Sequence, residues 1–382
     1  MVPEYREIPI ALPSTGEEEW YAVRDSLMTG WLTQGPKVSA FEKAFAARHG
    51  VRYAVAASSC TTALHLILTA LGIGPGDEVI VPAFTWVATS NVVIYCGATP
   101  VFADIHTDTF NVDAAEIAAK INKHTKAVIA VHLFGLCADI DSIKDVAHGI
   151  PVIEDAACAA GSYYNNRPAG SHGLAGAFSF HPRKSITTGE GGMITTDDKN
   201  LAETITVLRN HGASIAEEQR HVGQTPYLLP EFNMLGFNYR MTDLQGAVGL
   251  VQLSKLDAFI AERHKRAVLY ENAFSDVRWL KTPSVSANCR HGWQSYVCYV
   301  DEGKAPMRRD ELMRYLLSKG IHTRSGTHAV HMLGYYRDRF GFKPEHYSRA
   351  WDCQRYTMAI PLHNRMTTED YEYVIRTIRE IA

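Results

Sequence analysis

The sequence has no long apolar run and no excess of either charge. Over 382 residues it is 46% hydrophobic and 21% charged, with a net charge of −3. A balance so near neutrality gives no reason to expect nucleic acid or an acidic membrane surface as a partner. No apolar run is long enough to span a bilayer, and residues 1–20 lack the composition of a signal peptide. We therefore expect a globular protein of the cytoplasm.

Cysteine pairs at disulfide or zinc spacing are also absent. The seven cysteines stand at positions 60, 96, 137, 158, 289, 298 and 353, without a CxxC pair. An odd, scattered set in a large chain predicts reduced thiols. His328 and His331 are spaced as metal ligands can be, but no carboxylate or thiol pattern surrounds them, so we predict no metal site.

The sequence does contain a regular alternation of strand-like and helix-like segments. Repeated strand–helix units predict a mostly parallel sheet with helices on both faces, and the Val/Ile-rich strands fit burial on both sides. The seven predicted strands are 52–57, 78–81, 99–104, 126–133, 151–154, 176–180 and 193–196.

Two further helices frame this region. A helix over 15–28 is predicted to begin with a capping box of Thr15 and Glu18. A longer helix over 241–266 is predicted to contain a domain boundary, because the chain exceeds what one core usually holds. We expect a large α/β domain over 1–250 and a smaller α+β domain over 251–382.

The stretch FSFHPRKSITTGEGG, residues 178–192, places one lysine, Lys184, on a loop between two predicted strands. Burial there disfavours the ammonium form of a lysine and favours a nucleophilic amine. A solvated lysine in a hairpin loop is the ordinary alternative. The choice depends on which other groups reach the same end of the sheet.

Three other features come directly after strands of the predicted sheet. They therefore lie at the carboxyl ends of the strands, where open parallel sheets bind ligands. Residues 58–62, SSCTT, open a helix as a plain N-cap or as a phosphate nest. Asp155 would either cap the next helix or pair with a buried cation. Trp86 would either belong to the apolar core or stack on a planar ring of a ligand. Together with Lys184 the set matches pyridoxal phosphate (PLP), which needs an amine, an anion for its ring nitrogen and a phosphate nest.

The chain resembles the DegT/DnrJ/EryC1/StrS family of PLP-dependent sugar-nucleotide aminotransferases. The resemblance covers nearly the whole chain, and the order and spacing of so many blocks make it specific. It implies the aspartate-aminotransferase (type I) fold, PLP or its amine form PMP as cofactor, and a homodimer with shared active sites. The matching blocks are TGWLTQGP, SSCTTALHL, GDEVIVPAFTWVAT, GATPVFADI, VIEDAACA, FSFHPRKSITTGEGGMITT, GFNYRMTDLQGAVGLVQL and IPLH.

The resemblance also implies a role for each matching residue. Lys184 would form the Schiff base with the cofactor and transfer the proton. The other implied cofactor contacts are Asp155 at the ring nitrogen, Trp86 on the ring, Thr61, the Cys60 backbone and Ser179 at the phosphate, and Asn238 at the phosphate of the neighbouring subunit.

Two cysteines depart from the common family pattern. Cys60 stands where Gly or Ala is frequent, but its backbone amide can still donate. Cys158 stands where many members carry His or Gln near the phenolic oxygen of the cofactor, and a thiol is a weaker donor. Contacts with substrate are predicted for Trp31, in a loop that is a lid or a plain connection, and for His181, Arg240 and His328.

The implied reaction moves an amino group from L-glutamate to a nucleotide-linked keto-sugar, in amino-sugar, polysaccharide or glycoside biosynthesis. Amination at C4 of a 4-keto-6-deoxy sugar is favoured over C3. A sugar 3-dehydratase and a catalytically silent regulator of the same fold are the alternatives. Some dehydratase relatives replace the lysine by histidine, so Lys184 favours transamination. The sequence does not indicate the nucleotide.

Overall fold

A seven-stranded sheet forms the centre of the computed structural model, which describes residues 6–214 and 229–381. Its spatial order is β1-β7-β6-β5-β4-β2-β3, with β7 antiparallel to both of its neighbours and the remaining pairs parallel. All seven predicted strands are confirmed. They are β1 (Tyr53–Ala57), β2 (Glu78–Pro82), β3 (Thr99–Ala103), β4 (Thr125–Val131), β5 (Val152–Asp155), β6 (Ala175–Ser179) and β7 (Gly192–Thr196).

The strands of this sheet are buried on both faces. Val81 and Ile129 contribute to one apolar layer, whereas Ile80 and Val128 contribute to the layer on the other side. Side chains alternate across a strand, so the continuous Val/Ile runs fill both layers. The helices described before residue 210 are α1 (Glu17–Thr29), α2 (Pro36–His49), α3 (Cys60–Ala70), α4 (Ala88–Tyr95), α5 (Ala114–Ala118), α6 (Ile140–Ala147) and α7 (Lys199–Leu208).

The start of α1 differs from the predicted capping box by one residue. The Gly16 amide donates to Glu19 Oε2 at 2.8 Å, so the pair of Thr15 and Glu18 was wrong. Glu19 is buried and also accepts hydrogen bonds from Lys255 at 2.7 Å and Gln252 at 2.8 Å. These long-range partners determine which glutamate turns inward.

The C-terminal half begins with the long helix α8 (Asp243–Phe274), which continues beyond its predicted end. The extension follows from packing, because Tyr270 and Phe274 are fully buried in a second apolar core together with Tyr296 and Tyr371. This core surrounds an antiparallel sheet of β8 (Leu280–Lys281), β9 (Tyr296–Val300) and β10 (Thr357–Ile360). The remaining helices are α9 (Arg309–Ser318), α10 (Gly334–Phe340), α11 (Ser348–Tyr356) and α12 (Thr368–Arg379).

All seven cysteines are free thiols, as the sequence predicts. Within the ranges that the structure describes, no helix is both long and apolar enough to cross a membrane.

Candidate active site

One edge of the central sheet gathers the predicted site residues. Gly192, the first residue of β7, lies opposite Ala57 at the end of β1 and opposite Ser179 at the end of β6. Asp155 ends β5 and pairs in register with Ala177 of β6. The sheet therefore brings the SSCTT segment, Asp155 and the loop of Lys184 to the same edge.

The SSCTT segment forms the first turn of α3. Ser59 is its N-cap, since its Oγ accepts from the Thr62 amide at 3.1 Å while Thr62 Oγ1 accepts from the Ser59 amide at 3.0 Å. The amides of Cys60 and Thr61 have no acceptor among the described residues. Free amides at a helix N-terminus bind anions, and those of α3 open at the sheet edge.

Gly192 lies directly against this turn. A Cβ atom on Gly192 would stand 2.4 Å from the carbonyl oxygen of Ser59 and 2.7 Å from the amide nitrogen of Cys60. Both contacts are with backbone, so any side chain would displace the start of α3. The last glycine of GEGG thus fixes the position of the anion site, a role that the motif alone did not reveal.

Asp155 is a buried carboxylate whose hydrogen-bond donors are neutral groups. Its Oδ2 accepts from Thr89 Oγ1 at 2.8 Å, and its Oδ1 accepts from the Ala157 amide at 3.2 Å. Burial raises the pKa of Asp155 despite these hydrogen bonds. No lysine, arginine or histidine in the described ranges forms an ion pair with it. A protonated ring nitrogen would supply a direct ion-pair partner, which fits the PLP prediction.

The amine of Lys184 extends toward the same place. Its Nζ lies 3.1 Å from Cys158 Sγ, and its backbone amide donates to the His181 carbonyl at 2.8 Å. Burial lowers the pKa of Lys184, but its interactions with Cys158 and Asp155 outweigh burial, so the pKa is raised. The expectation that burial alone favours the neutral amine was wrong for the protein without cofactor, because nearby acidic groups stabilise the ammonium.

Cys60 offers its backbone amide to the anion site rather than its thiol. Its sulfur is buried 3.9 Å from Asp155 Oδ1, and burial raises the pKa of the thiol well above its usual value. The thiol therefore remains protonated at neutral pH and is not a nucleophile.

The loop that carries Lys184 is held by polar contacts. His181 Nδ1 accepts from the Arg183 amide at 3.2 Å, and Gln294 Nε2 donates to the Arg183 carbonyl at 2.9 Å. Burial lowers the pKa of His181, so its ring is neutral at pH 7. His181 thus shapes the loop through one ring nitrogen. Gln294 joins the loop to the C-terminal half.

Trp86 and His328 lie next to each other. Trp86 is 56% exposed, and its ring centroid lies 5.7 Å from that of His328. The contact arises because the short strand His328–Ala329 pairs with Phe84–Thr85, immediately before Trp86.

No cluster of three potential metal ligands is present in the described ranges.

Trp31 belongs to a loop anchored by Asp243. The Trp31 indole donates to the Gln34 carbonyl at 3.2 Å. The Asp243 carboxylate, buried at the start of α8, accepts from the amides of Gly35 at 2.9 Å, Lys37 at 3.0 Å and Val38 at 2.9 Å. This carboxylate caps α2 and ties the loop down, a role that the sequence motif did not indicate.

The GFNYRM block packs beside the SSCTT segment of the same chain. The Ser58 amide donates to the Tyr239 carbonyl at 2.8 Å, and Arg240 donates to Asn210 Oδ1 at 2.8 Å. The side chain of Asn238 is exposed and forms no hydrogen bond with the described residues. Asn238 therefore lies near the nest of its own chain with its amide directed outward.

Comparison with known proteins agrees with this geometry. The model of the DegT/DnrJ/EryC1/StrS aminotransferase family matches residues 13–379. The chain is 44% identical over 378 residues to the spore coat polysaccharide biosynthesis protein SpsC of Bacillus subtilis, covering 98% of this chain and 97% of that protein.

Solved structures share the fold. The putative sugar aminotransferase Spr1654 of Streptococcus pneumoniae, in its PMP form, is 28% identical with a TM-score of 0.92, covering 98% and 99% of the two chains. Its PLP form is similar, at 29% identity and a TM-score of 0.91, covering 98% of each chain. Helicobacter pylori PseC, an aminotransferase of pseudoaminic acid biosynthesis, is 27% identical with a TM-score of 0.91, covering 98% and 99%. These similarities confirm the type I fold and PLP as the cofactor.

Proposed function

Because the chain belongs to the DegT/DnrJ/EryC1/StrS aminotransferase family and is a PLP-dependent sugar aminotransferase, we propose that it moves the amino group of L-glutamate to a nucleotide-linked keto-sugar. The observation that carries this proposal is the common edge of the sheet. This edge holds a lysine amine, a buried carboxylate and the free amides of a helix N-terminus.

When bound, PLP supplies an aldehyde that accepts the amino group and a ring that withdraws electrons from the reacting carbon. Lys184 would bond to that aldehyde and move a proton at its Nζ in both half-reactions. Asp155, hydrogen-bonded by Thr89, would hold the ring nitrogen protonated. The Cys60 and Thr61 amides, with Ser179, would bind the phosphate, and Trp86 would cover the ring.

The active unit of this proposal is a homodimer. The outward amide of Asn238 would contact the phosphate in the partner subunit, and Arg240 would support the segment through Asn210. The exposed aromatic face of Trp86 and the half-buried Trp31 lie outside the apolar cores, where a second copy or the substrate would cover them.

The favoured substrate is a 4-keto-6-deoxy sugar aminated at C4, and C3 amination is the second choice. Similarity to a spore-coat polysaccharide protein and to an aminotransferase of pseudoaminic acid biosynthesis supports an amino-sugar product. We also propose that the chain divides near residue 250 and works in the cytoplasm. The seven free thiols support a reducing compartment.

A direct assay tests the substrate assignment. The purified protein, loaded with PLP, is incubated with L-glutamate and a panel of UDP-, dTDP- and GDP-linked 3-keto and 4-keto sugars. Mass spectrometry should detect one amino sugar and an equivalent of 2-oxoglutarate. Ammonia release with loss of water from the sugar would instead indicate the dehydratase. If no keto-sugar on the panel is aminated, the substrate proposal fails.

A further inference from the structure

The peptide group between Arg183 and Lys184 is held by a hydrogen bond at each end. Its carbonyl oxygen accepts from Gln294 Nε2 at 2.9 Å, and its amide donates to the His181 carbonyl at 2.8 Å. The Lys184 side chain extends from this peptide, and its amine lies 3.1 Å from Cys158 Sγ. The hydrogen bond from Gln294 therefore bears directly on where the reacting amine stands.

Gln294 follows a turn with an unfavourable backbone conformation. Trp293, immediately before it, has a φ of 47°, which a bulky aromatic residue rarely adopts. The Trp293 amide donates to His291 Nδ1 at 2.8 Å, and the two rings stack with their centroids 4.0 Å apart. Such conformations persist only where the surrounding structure holds them, and they are concentrated at functional sites.

Gly135 lets this turn approach the segment of Cys158. A Cβ atom on Gly135 would stand 3.0 Å from the Gln294 amide nitrogen and 3.2 Å from the Cys158 carbonyl oxygen. Its φ of 101° also favours glycine. The Gly292 amide donates to the Gly135 carbonyl at 2.9 Å. Cys158, which contacts the Lys184 amine, and Gln294, which holds its peptide, are therefore packed against the same glycine.

A buried cation, Arg263 of α8, fixes the same turn. It is 5% exposed and donates to the carbonyls of Trp293 at 3.0 Å and Gln294 at 3.3 Å. It also donates to Asn364 Oδ1 at 2.8 Å. Burial lowers the pKa of Arg263 to about 10, so the guanidinium stays charged at neutral pH. A guanidinium suits this place because its rigid fork of donors holds several acceptors in one geometry.

We propose that Gln294 is a positioning residue for Lys184 and that Arg263 orients Gln294. Gln294 holds the Arg183 carbonyl, so the Lys184 side chain starts in one direction and its amine meets the cofactor aldehyde. Arg263 acts one step further back, by fixing the turn from which Gln294 extends. The inference rests on the proposed role of Lys184. A displacement of about 1 Å at a reacting atom can cost about 100-fold in rate, so one hydrogen bond can decide the outcome.

Two substitutions separate the hydrogen bond of Gln294 from the bulk of its side chain. Gln294→Leu removes the donor, whereas Gln294→His retains a ring N–H at a similar distance from the backbone. Gln245→Leu is the matched control. Gln245 is also half-buried, and its Nε2 donates at 2.6 Å to the carbonyl of Glu190, which follows Lys184 in the same stretch of chain. Thermal melting verifies that each variant is folded.

Two measurements report on the Lys184 amine. The first is the reaction of the apoenzyme with pyridoxal, followed by visible absorbance. In this reaction the amine nitrogen bonds to the aldehyde carbon, and the aldehyde oxygen leaves as water. The second is the conversion of the PLP-loaded protein to its PMP form by L-glutamate, measured in a single turnover at a series of glutamate concentrations.

We expect Gln294→Leu to slow both reactions about 10- to 100-fold. The glutamate concentration that gives the half-maximal rate and the melting temperature should stay unchanged. Gln294→His should recover most of the lost rate, and Gln245→Leu should react as wild type does. Loss of a merely structural contact would lower the melting temperature and would not be restored by a different N–H donor.

Arg263→Lys tests the step behind Gln294. Lysine keeps the charge but lacks the fork of donors, so we expect a slower reaction with pyridoxal. If Arg263 acts through Gln294, adding Arg263→Lys to Gln294→Leu should cause little further slowing. Slowing by the same factor in both backgrounds would overturn the role assigned to Arg263.

The proposal for Gln294 is overturned if Gln294→Leu reacts as fast as wild type, or if Gln294→His is as slow as Gln294→Leu. Neither measurement uses a keto-sugar. A wild-type protein that aminates no keto-sugar, but whose reaction with pyridoxal slows in Gln294→Leu, would refute the proposed substrate and leave the positioning role standing.

Discussion

The Nζ atom of Lys184 lies 3.1 Å from the Sγ atom of Cys158. Lys184 is the residue expected to form the bond with the cofactor, and Cys158 is the thiol that the family resemblance marks as a departure from the common pattern. Burial lowers the pKa of Lys184, and Cys158 is the foremost of the groups that raise it above its usual value. The thiol therefore helps to keep the amine protonated before the cofactor arrives.

Cys158→Ala should lower the pKa of Lys184. More of the amine is then neutral at a given pH, and only the neutral amine attacks an aldehyde. We expect the apoenzyme variant to capture PLP at lower pH than wild type, measured as the rise of visible absorbance across a pH series. Cys96→Ala is the control, because Cys96 is also half-buried but lies at the end of α4. Superimposable profiles for wild type and Cys158→Ala would contradict the argument.

Thr89→Val should weaken the binding of PLP. The substitution keeps the shape of the side chain but removes the 2.8 Å hydrogen bond to Asp155, which holds down the raised pKa of that carboxyl. We expect about a tenfold or greater loss of PLP affinity. The loss of PLP affinity that accompanies acidification should begin at a higher pH than in wild type, because Asp155 is protonated more readily.

The control for Thr89→Val is Thr85→Val. Thr85 is equally buried and bonds to Thr89 at 3.2 Å, but not to Asp155. Fluorescence titration of the apoenzyme with PLP measures both variants. Equal affinities for Thr89→Val and Thr85→Val would show that the carboxylate does not depend on Thr89.

Gly192→Ala should disturb the phosphate nest. The added Cβ would stand 2.4 Å from the Ser59 carbonyl oxygen, so the start of α3 must move. Overpacking of this kind costs about 1–3 kcal/mol, and we expect phosphate affinity to fall by at least tenfold. Equilibrium dialysis with PLP, and with pyridoxal as the ligand lacking phosphate, measures the effect. Only PLP should bind more weakly.

A glycine with free space around it serves as the control for Gly192→Ala. Gly334, at the start of α10, has no atom within 4 Å of its Cβ position. Gly334→Ala should bind both ligands as wild type does. If pyridoxal and PLP lose affinity equally in Gly192→Ala, the damage extends beyond the phosphate nest.

Glu154, the neighbour of Asp155 in β5, is a buried carboxylate that accepts hydrogen bonds from backbone amides. It accepts from the amides of Gly170 at 2.7 Å, His172 at 2.7 Å and Gly173 at 2.6 Å, and from His132 Nε2 at 2.8 Å. Burial raises its pKa, but these hydrogen bonds and the His132 contact outweigh burial and hold the pKa at about 2. A carboxyl whose folded pKa lies below the usual 4.5 stabilises the fold above pH 4.5. That contribution is lost as the pH falls from 4.5 to about 2.

Glu154→Gln should therefore destabilise the protein by about 3 kcal/mol at pH 7, because an amide donor would face backbone donors. Urea unfolding monitored by circular dichroism should show the difference from wild type shrinking as pH falls below 4.5. Glu203→Gln, at an exposed position on α7, should change stability by less than about 0.5 kcal/mol. A difference that stays constant down to low pH would refute the assigned titration.

The sequence predicted the sheet and the edge at which Lys184 and Asp155 meet, because continuous apolar strands and short motifs are local signals. It did not reveal Thr89 or Gln294, since their roles depend on partners far away in the chain. The one-residue shift at α1 has the same origin: local chemistry allowed Glu18, but contacts with α8 selected Glu19.

Direct labelling of the reactive lysine tests the central claim. The holoenzyme is treated with borohydride, which fixes the cofactor to its amine, and the digested peptides are analysed by mass spectrometry. We predict the cofactor on the peptide that contains Lys184, and no label in Lys184→Ala under the same treatment. A label on a different lysine, or none in wild type, would contradict the account.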